Sequence, residues 1–444
     1  MGGSGAVLCR YTGTCFDLTD QYIYKGDLHM NAINVGIFGL GRGDAIMRNI
    51  MACGGNIAAI CDRNTELLEA RAKSLPAACA AYTSFDELIE HKGLDAIVLA
   101  NCFHEHAPYA IRCLERGIHV LSECTSNGTM AEGVALMRAA KKSKAIYMLA
   151  ENYPYLQFNQ EMHRVYQGGS LGKVLFAEGE YNHPFNQNDG GTIKSLRPYP
   201  THWRNYLPRS YYLTHSLAPL MYITGVFPKR VTAFGVYEPF ENDGYKYISG
   251  QVADRAAVIS ILNDDGSVFR VTGCAAFGAH GNAYRICGTK GQMENIRGGG
   301  GKVMLRYNDW EKPEGMDAVN CYMPEWSEDK RALIEKAGHG GGDYFVAYEF
   351  LNCIREGKPH RFDVHFATTI ASVAILAHRS LSNGGRPYDI PDFRNEDDCI
   401  KYENDYDTPF YASDGSSAPT IPCCSNPDYK PDAEKYKNYL GLFE

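Results

Sequence analysis

The sequence predicts an α/β protein in which a doubly wound parallel sheet is followed by a second α/β domain built on an open, mostly antiparallel sheet. Three observations carry this. Apolar runs and helical segments alternate from Ile33 to Leu149, the rhythm of a parallel sheet with crossover helices. After Glu151 the runs lengthen, alternate in polarity and follow one another across short turns such as Asn263-Asp264-Asp265-Gly266, as antiparallel strands do. At 444 residues, 45% of them hydrophobic, the chain is long enough to bury two cores.

Residues 1–29 show little periodicity and read as an N-terminal extension. In the segment 30–150, Ile33 to Phe38 reads as a buried strand, Ala45 to Met51 as a helix and Asn56 to Cys61 as the second strand. Asp62 is placed to cap a helix over Asn64 to Ala70. Strands follow at Asp95 to Ala100, Ile118 to Ser122 and Ala145 to Leu149, with helices at Ala107 to Arg116 and Ala131 to Lys142 between them. The segment 151–393 holds a helix near Asn159 to Tyr166 and strands near Lys173 to Tyr181, Arg230 to Val236, Ala256 to Leu262, Val268 to Ala275 and Ala283 to Cys287. Helices near Asp343 to Glu356 and His365 to Leu381 are expected on one side of this sheet, leaving the bare face to close over the site. Residues 394–444, rich in Asp, Tyr, Pro and Ser, read as an irregular surface arm with a short helix at Ala433 to Leu440, and Cys423 and Cys424 as solvent-exposed thiols.

A net charge of −8 with scattered signs offers no basic stripe to nucleic acid. No apolar run approaches the roughly 20 residues that span a bilayer, and the N-terminus lacks the basic and apolar blocks of a secretory signal. Fifteen cysteines, odd in number and without zinc-ligand spacing, point to the reducing cytoplasm. The expected partner is a small molecule.

The stretch Asn34-Val35-Gly36-Ile37-Phe38-Gly39-Leu40-Gly41-Arg42-Gly43 runs a strand into clustered glycines. Such a turn brings backbone N–H groups to a pyrophosphate, and Asp62, closing the next strand, can accept from both ribose hydroxyls; a nicotinamide dinucleotide is expected. Asp62 would repel a 2′-phosphate, while Arg63 would attract one or stack on adenine, and NAD is expected over NADP. The third glycine falls one place early, at Gly43, and Asp44 takes the usual slot, where an acid must point away from the phosphates. Ligands of such sheets lie beyond the carboxyl ends of the strands. That adds Asn101, Cys102, His104, His106, Glu123 and Asn152 to Gly39, Gly41, Arg42, Gly43, Asp62 and Arg63 on the cofactor side.

In the second segment Tyr181 and His183 end a strand, and Tyr212 and His215 precede an apolar helix. Ionisable rings at element ends suit proton transfer near neutrality. Zinc held by His183, His202 and His215 fits no familiar ligand spacing. Glu178 and Glu180 lie on one strand face, side by side rather than across a cleft as a carboxylate pair for direct glycoside hydrolysis requires, and read as solvated.

The frame Gly36-x-x-Gly39-x-Gly41, Asp62-Arg63, Gly117-x-His119-Val120-x-x-Glu123, Gly169-x-x-Gly172-Lys173-Val174 and Gly288-Thr289-Lys290-Gly291 resembles the Gfo/Idh/MocA oxidoreductases over roughly residues 33 to 393. The resemblance implies a Rossmann domain joined to an open mixed sheet, bound NAD or NADP, and dimers or tetramers formed through the sheet. Typical dehydrogenases of that superfamily carry Glu-Lys-Pro after the His-Val strand; this chain has Glu123-Cys124-Thr125, and a thiol cannot do an ammonium's proton chemistry.

A branch without that lysine is glycoside hydrolase family 109, and the chain is similar to it at Glu151-Asn152-x-x-Tyr155, Gly179-x-Tyr181-x-His183, Tyr212-x-Thr214-His215-x-Leu217-x-Pro219 and His339-Gly340-Gly341-x-Asp343. Ser216 and Ala218 stand where that family usually has glycines. The resemblance implies a glycosidase with retained NAD that oxidises a sugar carbon, C3, eliminates the aglycone after loss of the C2 proton, adds water and returns the hydride. On that reading His215 serves the sugar hydroxyl and Tyr181 the C2 proton, with Tyr212 and His183 positioning or exchanging protons. The alternatives are a sugar 3-dehydrogenase that releases NADH and a non-catalytic NAD-binding regulator.

Overall fold

In the computed structural model, residues 32–237, 244–248, 254–326, 331–426 and 428–444 are described; the extension read over 1–29 lies outside them. The first sheet is built from β1 (Asn34–Phe38), β2 (Asn56–Cys61), β3 (Ala80–Tyr82), β4 (Ala96–Leu99), β5 (His119–Ser122) and β6 (Tyr147–Leu149). All pair in parallel in the order β3-β2-β1-β4-β5-β6. Val35, Ile37 and all of β4 are buried because both sheet faces are covered, which is why these strands read as unbroken apolar runs. The covering helices are α1 (Leu40–Ala52), α2 (Thr65–Ala72), α3 (Phe85–Ile89), α4 (His106–Glu115) and α5 (Met130–Lys142). β3 and α3 went unread; three and five residues are too few to show a period. Helix α2 is capped by the Asn64 side chain rather than by Asp62, and α5 by a Thr129–Glu132 capping box. The strand order reverses between β1 and β4, opening a crevice at their carboxyl ends.

The second sheet has nine strands among the described residues: β7 (Val174–Asn182), β8 (Pro228–Tyr237), β9 (Asp254–Asn263), β10 (Val268–Thr272), β11 (Gly281–Gly288), β12 (Gly291–Asn295), β13 (Val303–Tyr307), β14 (Val319–Tyr322) and β15 (Tyr388–Asp389). Their order is β14-β13-β12-β11-β7-β10-β9-β8-β15, antiparallel throughout except for the β7–β10 pair. The chain adds α6 (Gln157–Gln167), α7 (Gly190–Leu196), α8 (Thr214–Thr224), α9 (Arg331–Lys336), α10 (Gly342–Glu356), α11 (Val364–Ser382), α12 (Glu396–Tyr402) and α13 (Ala433–Leu440).

Helices α6, α8 and α11 cover one sheet face, and α11 also packs on α5 and β6 of the first sheet. The other face exposes Phe234, Val258, Leu262 and Val268. Glu178, read as solvated, is there paired with Arg270 and Arg285, and Glu180 with Arg297. The face that meets the site is the helix-covered one, not the bare one: Tyr181 is buried on the same side as Ala177 and Gly179, under α8.

The C-terminal segment departs from the surface arm that its composition predicts. Phe410 is buried, against Phe103, His104 and Tyr211. Cys423 and Cys424 are buried too, at 7% and 6% exposure, rather than solvent-facing. Tyr439 of α13 is fully enclosed and its hydroxyl accepts from the Asn205 amide. Widely spaced aromatics between polar residues pin the segment without any helical or strand period to announce it.

Candidate active site

Two adjoining cavities occupy the crevice between the sheets, sharing Ala100, Asn101 and Trp203. The first, about 590 Å³, is lined by Gly39, Gly41, Asp62, Arg63 and the 412–416 segment. The second, about 330 Å³, is lined by Arg42, Glu123, Cys124, Asn152 and the Tyr181–His215 set.

The turn from β1 into α1 sets the floor of the larger cavity. Gly39 has φ +90°, and a Cβ there would lie 2.4 Å from the Ala100 carbonyl oxygen. A Cβ at Gly41 would meet no atom within 4 Å, so this position faces open space. Gly43 lets α1 press on Ile37, where a Cβ would come within 2.9 Å of Cγ2. Asp44 then turns away, to Arg48 at 2.9 Å and Arg71 at 3.1 Å. The early third glycine thus does the helix-packing task and keeps the acid off the phosphate side. Asp62 accepts from the Leu40 and Asn64 backbone N–H groups, at 2.6 and 2.8 Å, which fixes its carboxylate at the cavity edge.

In the smaller cavity the fully buried Glu151, just beyond β6, organises the ring cluster. Its Oε1 lies 2.8 Å from His215 Nδ1, and its Oε2 accepts from the Cys124 thiol at 3.2 Å. Burial alone would raise this carboxyl, but the His215 imidazole, the thiol and the Tyr153 N–H outweigh it and hold Glu151 below its ordinary pKa. With the carboxylate on Nδ1, the imidazole carries its proton there and leaves Nε2 as an acceptor. Burial, with Glu151 and Glu123 close by, keeps Cys124 a thiol.

Tyr153 stacks on His215 at 4.0 Å, and Tyr181 and Tyr212 meet its ring edge-on at 5.0 and 5.1 Å. Burial, reinforced by neighbouring phenols, raises Tyr181 far above its ordinary range. Burial likewise raises Tyr212, and pushes Tyr153 up to about 12. His183, 5.7 Å from Tyr181, is lowered, first by burial and then by His280 and Arg204, so its imidazole stays neutral.

The four rings singled out by sequence, Tyr181, His183, Tyr212 and His215, therefore share one cavity. Of the cofactor-facing set, Arg42, Asn101, His106, Glu123 and Asn152 line it as well. Arg42 is held bidentate by Asp343, at 2.6 and 2.8 Å, and by Glu123 at 2.8 Å. His106 gives Nδ1 to the Thr125 carbonyl at 2.7 Å, and burial lowers it to about 4. Gly39, Gly41, Asp62, Arg63, Asn101 and Cys102 line the larger cavity. His104 lines neither; it sits under the C-terminal segment, with Nε2 at 2.8 Å from the Tyr411 carbonyl. Gly43 is buried behind the turn. Of the weighed zinc trio, His202 lines the larger cavity, apart from His183 and His215 in the smaller.

Sequence reasoning missed Tyr153, the arginines 197, 204, 209 and 255, and the proton-holding role of Glu151. The last was marked only as part of the resembling segment Glu151-Asn152-x-x-Tyr155.

Residues 33–151 match the profile described as oxidoreductase family, NAD-binding Rossmann fold, and residues 277–397 that of glycosyl hydrolase 109, C-terminal domain. The chain is 25% identical to glycosyl hydrolase family 109 protein 1 of Bacteroides fragilis (strain YCH46), over 82% of this chain and 86% of that one. It is 24% identical to the glycosyl hydrolase family 109 protein of Porphyromonas gingivalis, over 82% and 85%. Its fold matches that of a levoglucosan dehydrogenase solved with NADH and levoglucosan, with a TM-score of 0.68 at 18% identity, over 82% of this chain and 100% of that one. The parallel dinucleotide sheet, the second open sheet and both profile matches are those of the Gfo/Idh/MocA NAD-binding oxidoreductase superfamily, and the named relatives are glycosyl hydrolase family 109 proteins.

Proposed function

We propose that this chain is an NAD-dependent glycosidase that cleaves a small glycoside by transient oxidation at C3, β-elimination, water addition and re-reduction. The observation that carries the reading is the convergence of Tyr181, His183, Tyr212 and His215, with Glu151 behind His215, on a cavity that also holds Glu123 and Asn152.

The residues present fit a dinucleotide: Gly41 leaves open space at the turn, and the buried Asn101 side-chain oxygen, on the wall both cavities share, has no protein partner. Asp62 and Arg63 would hold the adenosine end, and Arg42, Asn101, Glu123 and Asn152 the nicotinamide end. When bound, NAD supplies a hydride acceptor for the sugar carbon and later gives the hydride back. His215 Nε2 takes the proton of the C3 hydroxyl, and Glu151 stabilises the imidazolium that results. With a ketone at C3 the C2 proton becomes acidic. The C2 proton, expected on Tyr181, goes on this reading to the neutral His183 imidazole, because burial keeps Tyr181 protonated; Tyr181 instead donates to the departing C1 oxygen. Water then adds at C1 and gives a proton back to Tyr181, His183 returns its proton to C2 and His215 its proton to the C3 oxygen, so glycoside plus water gives sugar plus aglycone with no net oxidation. Each positioned proton donor or acceptor contributes on the order of 10²–10⁴ in rate.

The same reading divides the chain at about residues 30, 150 and 393, places it in the cytoplasm, where cysteines stay reduced, and pairs copies through the bare sheet face, with its exposed Phe234, Val258, Leu262 and Val268, as a homo-oligomer. Among the described residues no helix is long and apolar enough to cross a membrane.

The test is incubation with nitrophenyl α- and β-glycosides in D2O, following aglycone, NADH absorbance and product mass together. Aglycone without accumulating NADH, and deuterium at C2 of the sugar, is the expected result. Stoichiometric NADH with an intact glycosidic bond identifies a sugar 3-dehydrogenase instead. NAD binding with no turnover of any sugar identifies a regulator.

A further inference from the structure

The end of the smaller cavity away from the glycine turn has an unusual wall. Arg197, Arg204, Arg209 and Arg255 all line it. Among the described lining residues Glu123 is the one carboxylate, and its Oε1 already accepts from Arg42 on the dinucleotide side. Behind the wall, Asp254 spends its carboxylate on the Ser425 N–H and hydroxyl, and Arg209 Nε reaches the Asp254 carbonyl oxygen at 3.1 Å rather than the carboxylate. Arg197 and Arg255 have further interactions of their own, so the weight rests on Arg204 and Arg209. Arg204 stacks on Trp203 at 4.3 Å and has no carboxylate partner among the described residues. Its charge reaches His183 and Tyr212, which places it beside the ring cluster.

A neutral sugar presents hydroxyls that both donate and accept, and a wall made for it carries carboxylates beside its donors; here the amides Gln187 and Asn205 stand among the arginines, but no carboxylate does among the described residues. Guanidinium forks only donate, and match a group that only accepts. The apolar neighbours Phe185, Leu196, Leu207 and Ile248 keep water sparse there, which strengthens an ion pair and makes clustered like charges costly without one. The dinucleotide phosphates do not explain the cluster. They belong at the Gly39–Gly41 turn, and of these four arginines none lines that cavity.

We propose that the substrate carries an anionic group, a carboxylate or a sulfate or phosphate ester, seated against Arg204 and Arg209 on the side of the sugar away from the dinucleotide. The proposal rests on the glycoside reading of the site and adds its substrate class. In the full NAD-loaded chain, nitrophenyl glycosides should be compared with their matched uronides, 6-sulfates and 6-phosphates, and the wild type with Arg204→Gln and Arg204→Lys. At least one anionic series is expected to exceed its neutral parent tenfold or more in kcat/KM, mainly through KM. Arg204→Gln should erase most of that ratio and Arg204→Lys restore part of it, and the arm that responds identifies the anion.

A second readout needs no turnover: thermal shift and protein fluorescence with glucose or galactose against glucuronate or galacturonate, and against the 6-sulfates and 6-phosphates of the two sugars, over a salt series. Selective, salt-sensitive binding of charged sugars with no cleavage of any glycoside would refute hydrolysis and sustain the anion seat. Cleavage of neutral glycosides with the charged ones rejected, or a ratio untouched by Arg204→Gln, would overturn it.

Discussion

Around the Glu151 carboxylate the His215 imidazole, the Cys124 thiol and the Tyr153 N–H converge, and none is a full cation held there permanently. A lysine at position 124 would neutralise Glu151 outright; the thiol instead leaves the charge available to an imidazolium on His215. Glu151→Gln keeps an acceptor on Nδ1, because the Tyr153 N–H points at the same oxygen and holds the amide oxygen there, but removes the charge that would stabilise an imidazolium on His215. Its kcat should fall by about 10²–10⁴, with NAD content of the purified protein unchanged, as read by steady-state kinetics beside cofactor extraction. The four titratable rings were legible in sequence because polar aromatics stood at element ends. Glu151 was legible only as a letter in a resembling segment, since its burial and its two partners come from residues 27 and 64 positions away.

Among the elements, the β1–α1 turn separates folding from binding. Gly39→Ala forces a side chain at φ +90° against the Ala100 carbonyl; a loss of at least about 2 kcal/mol is expected in urea unfolding. Gly41→Ala meets nothing, so unfolding without cofactor should be unchanged or improved by up to about 1 kcal/mol, while NAD titration shows at least roughly tenfold weaker binding.

The loop over residues 408–420, which doubles back like a hairpin without forming strands, is a second such element. Thr408 and Thr420 bond across its base and Ala412 N–H meets the Ser417 carbonyl at 3.1 Å. Its tip closes the larger cavity, with Ser413 N–H and hydroxyl on Glu105 at 2.7 and 2.6 Å. Replacing residues 413–416 by two glycines keeps the base and opens the wall. NAD release, followed by stopped-flow fluorescence of NADH, should accelerate roughly tenfold or more. Both profile matches end by residue 397, so the loop belongs to neither.

Across the whole molecule, one polar joint ties the dinucleotide sheet to the second half. Asp343, with no exposed side-chain surface, holds Arg42 of α1 bidentate, accepts from Asn152 at 2.8 Å and faces His339 at 3.0 Å. Burial opposes its charge, but Arg42 and then His339 hold its carboxyl well below the ordinary range. Glu151 is lowered in the same direction. A carboxyl depressed in the folded chain contributes stability that is fully present above its unfolded pKa, about 4 for both residue types, and is lost as pH falls below it. Buried imidazoles lowered in the fold, His106, His163 and His378 among them, take up protons only in the unfolded chain below about pH 6.5, so urea midpoints should begin to fall there and fall further below about pH 5 as Asp343 and Glu151 lose their charge. Asp343→Asn should cost about 3 kcal/mol at pH 7 and flatten that acid decline.

The sequence by itself determined the two sheets, the order of most of their strands and helices, the glycine turn with Asp62, and the four rings. Each of these is written in local periodicity or in residue types that a single element displays. Only the tertiary structure decided that Asp44 turns away from the turn, that Glu178 and Glu180 are ion-paired, that His104 and both tail cysteines are covered, and that arginines from α7's end to β9 gather on one wall. These depend on side chains meeting across tens to hundreds of residues, where charge, burial and hydrogen-bond partners are set by packing and leave no mark on the local pattern.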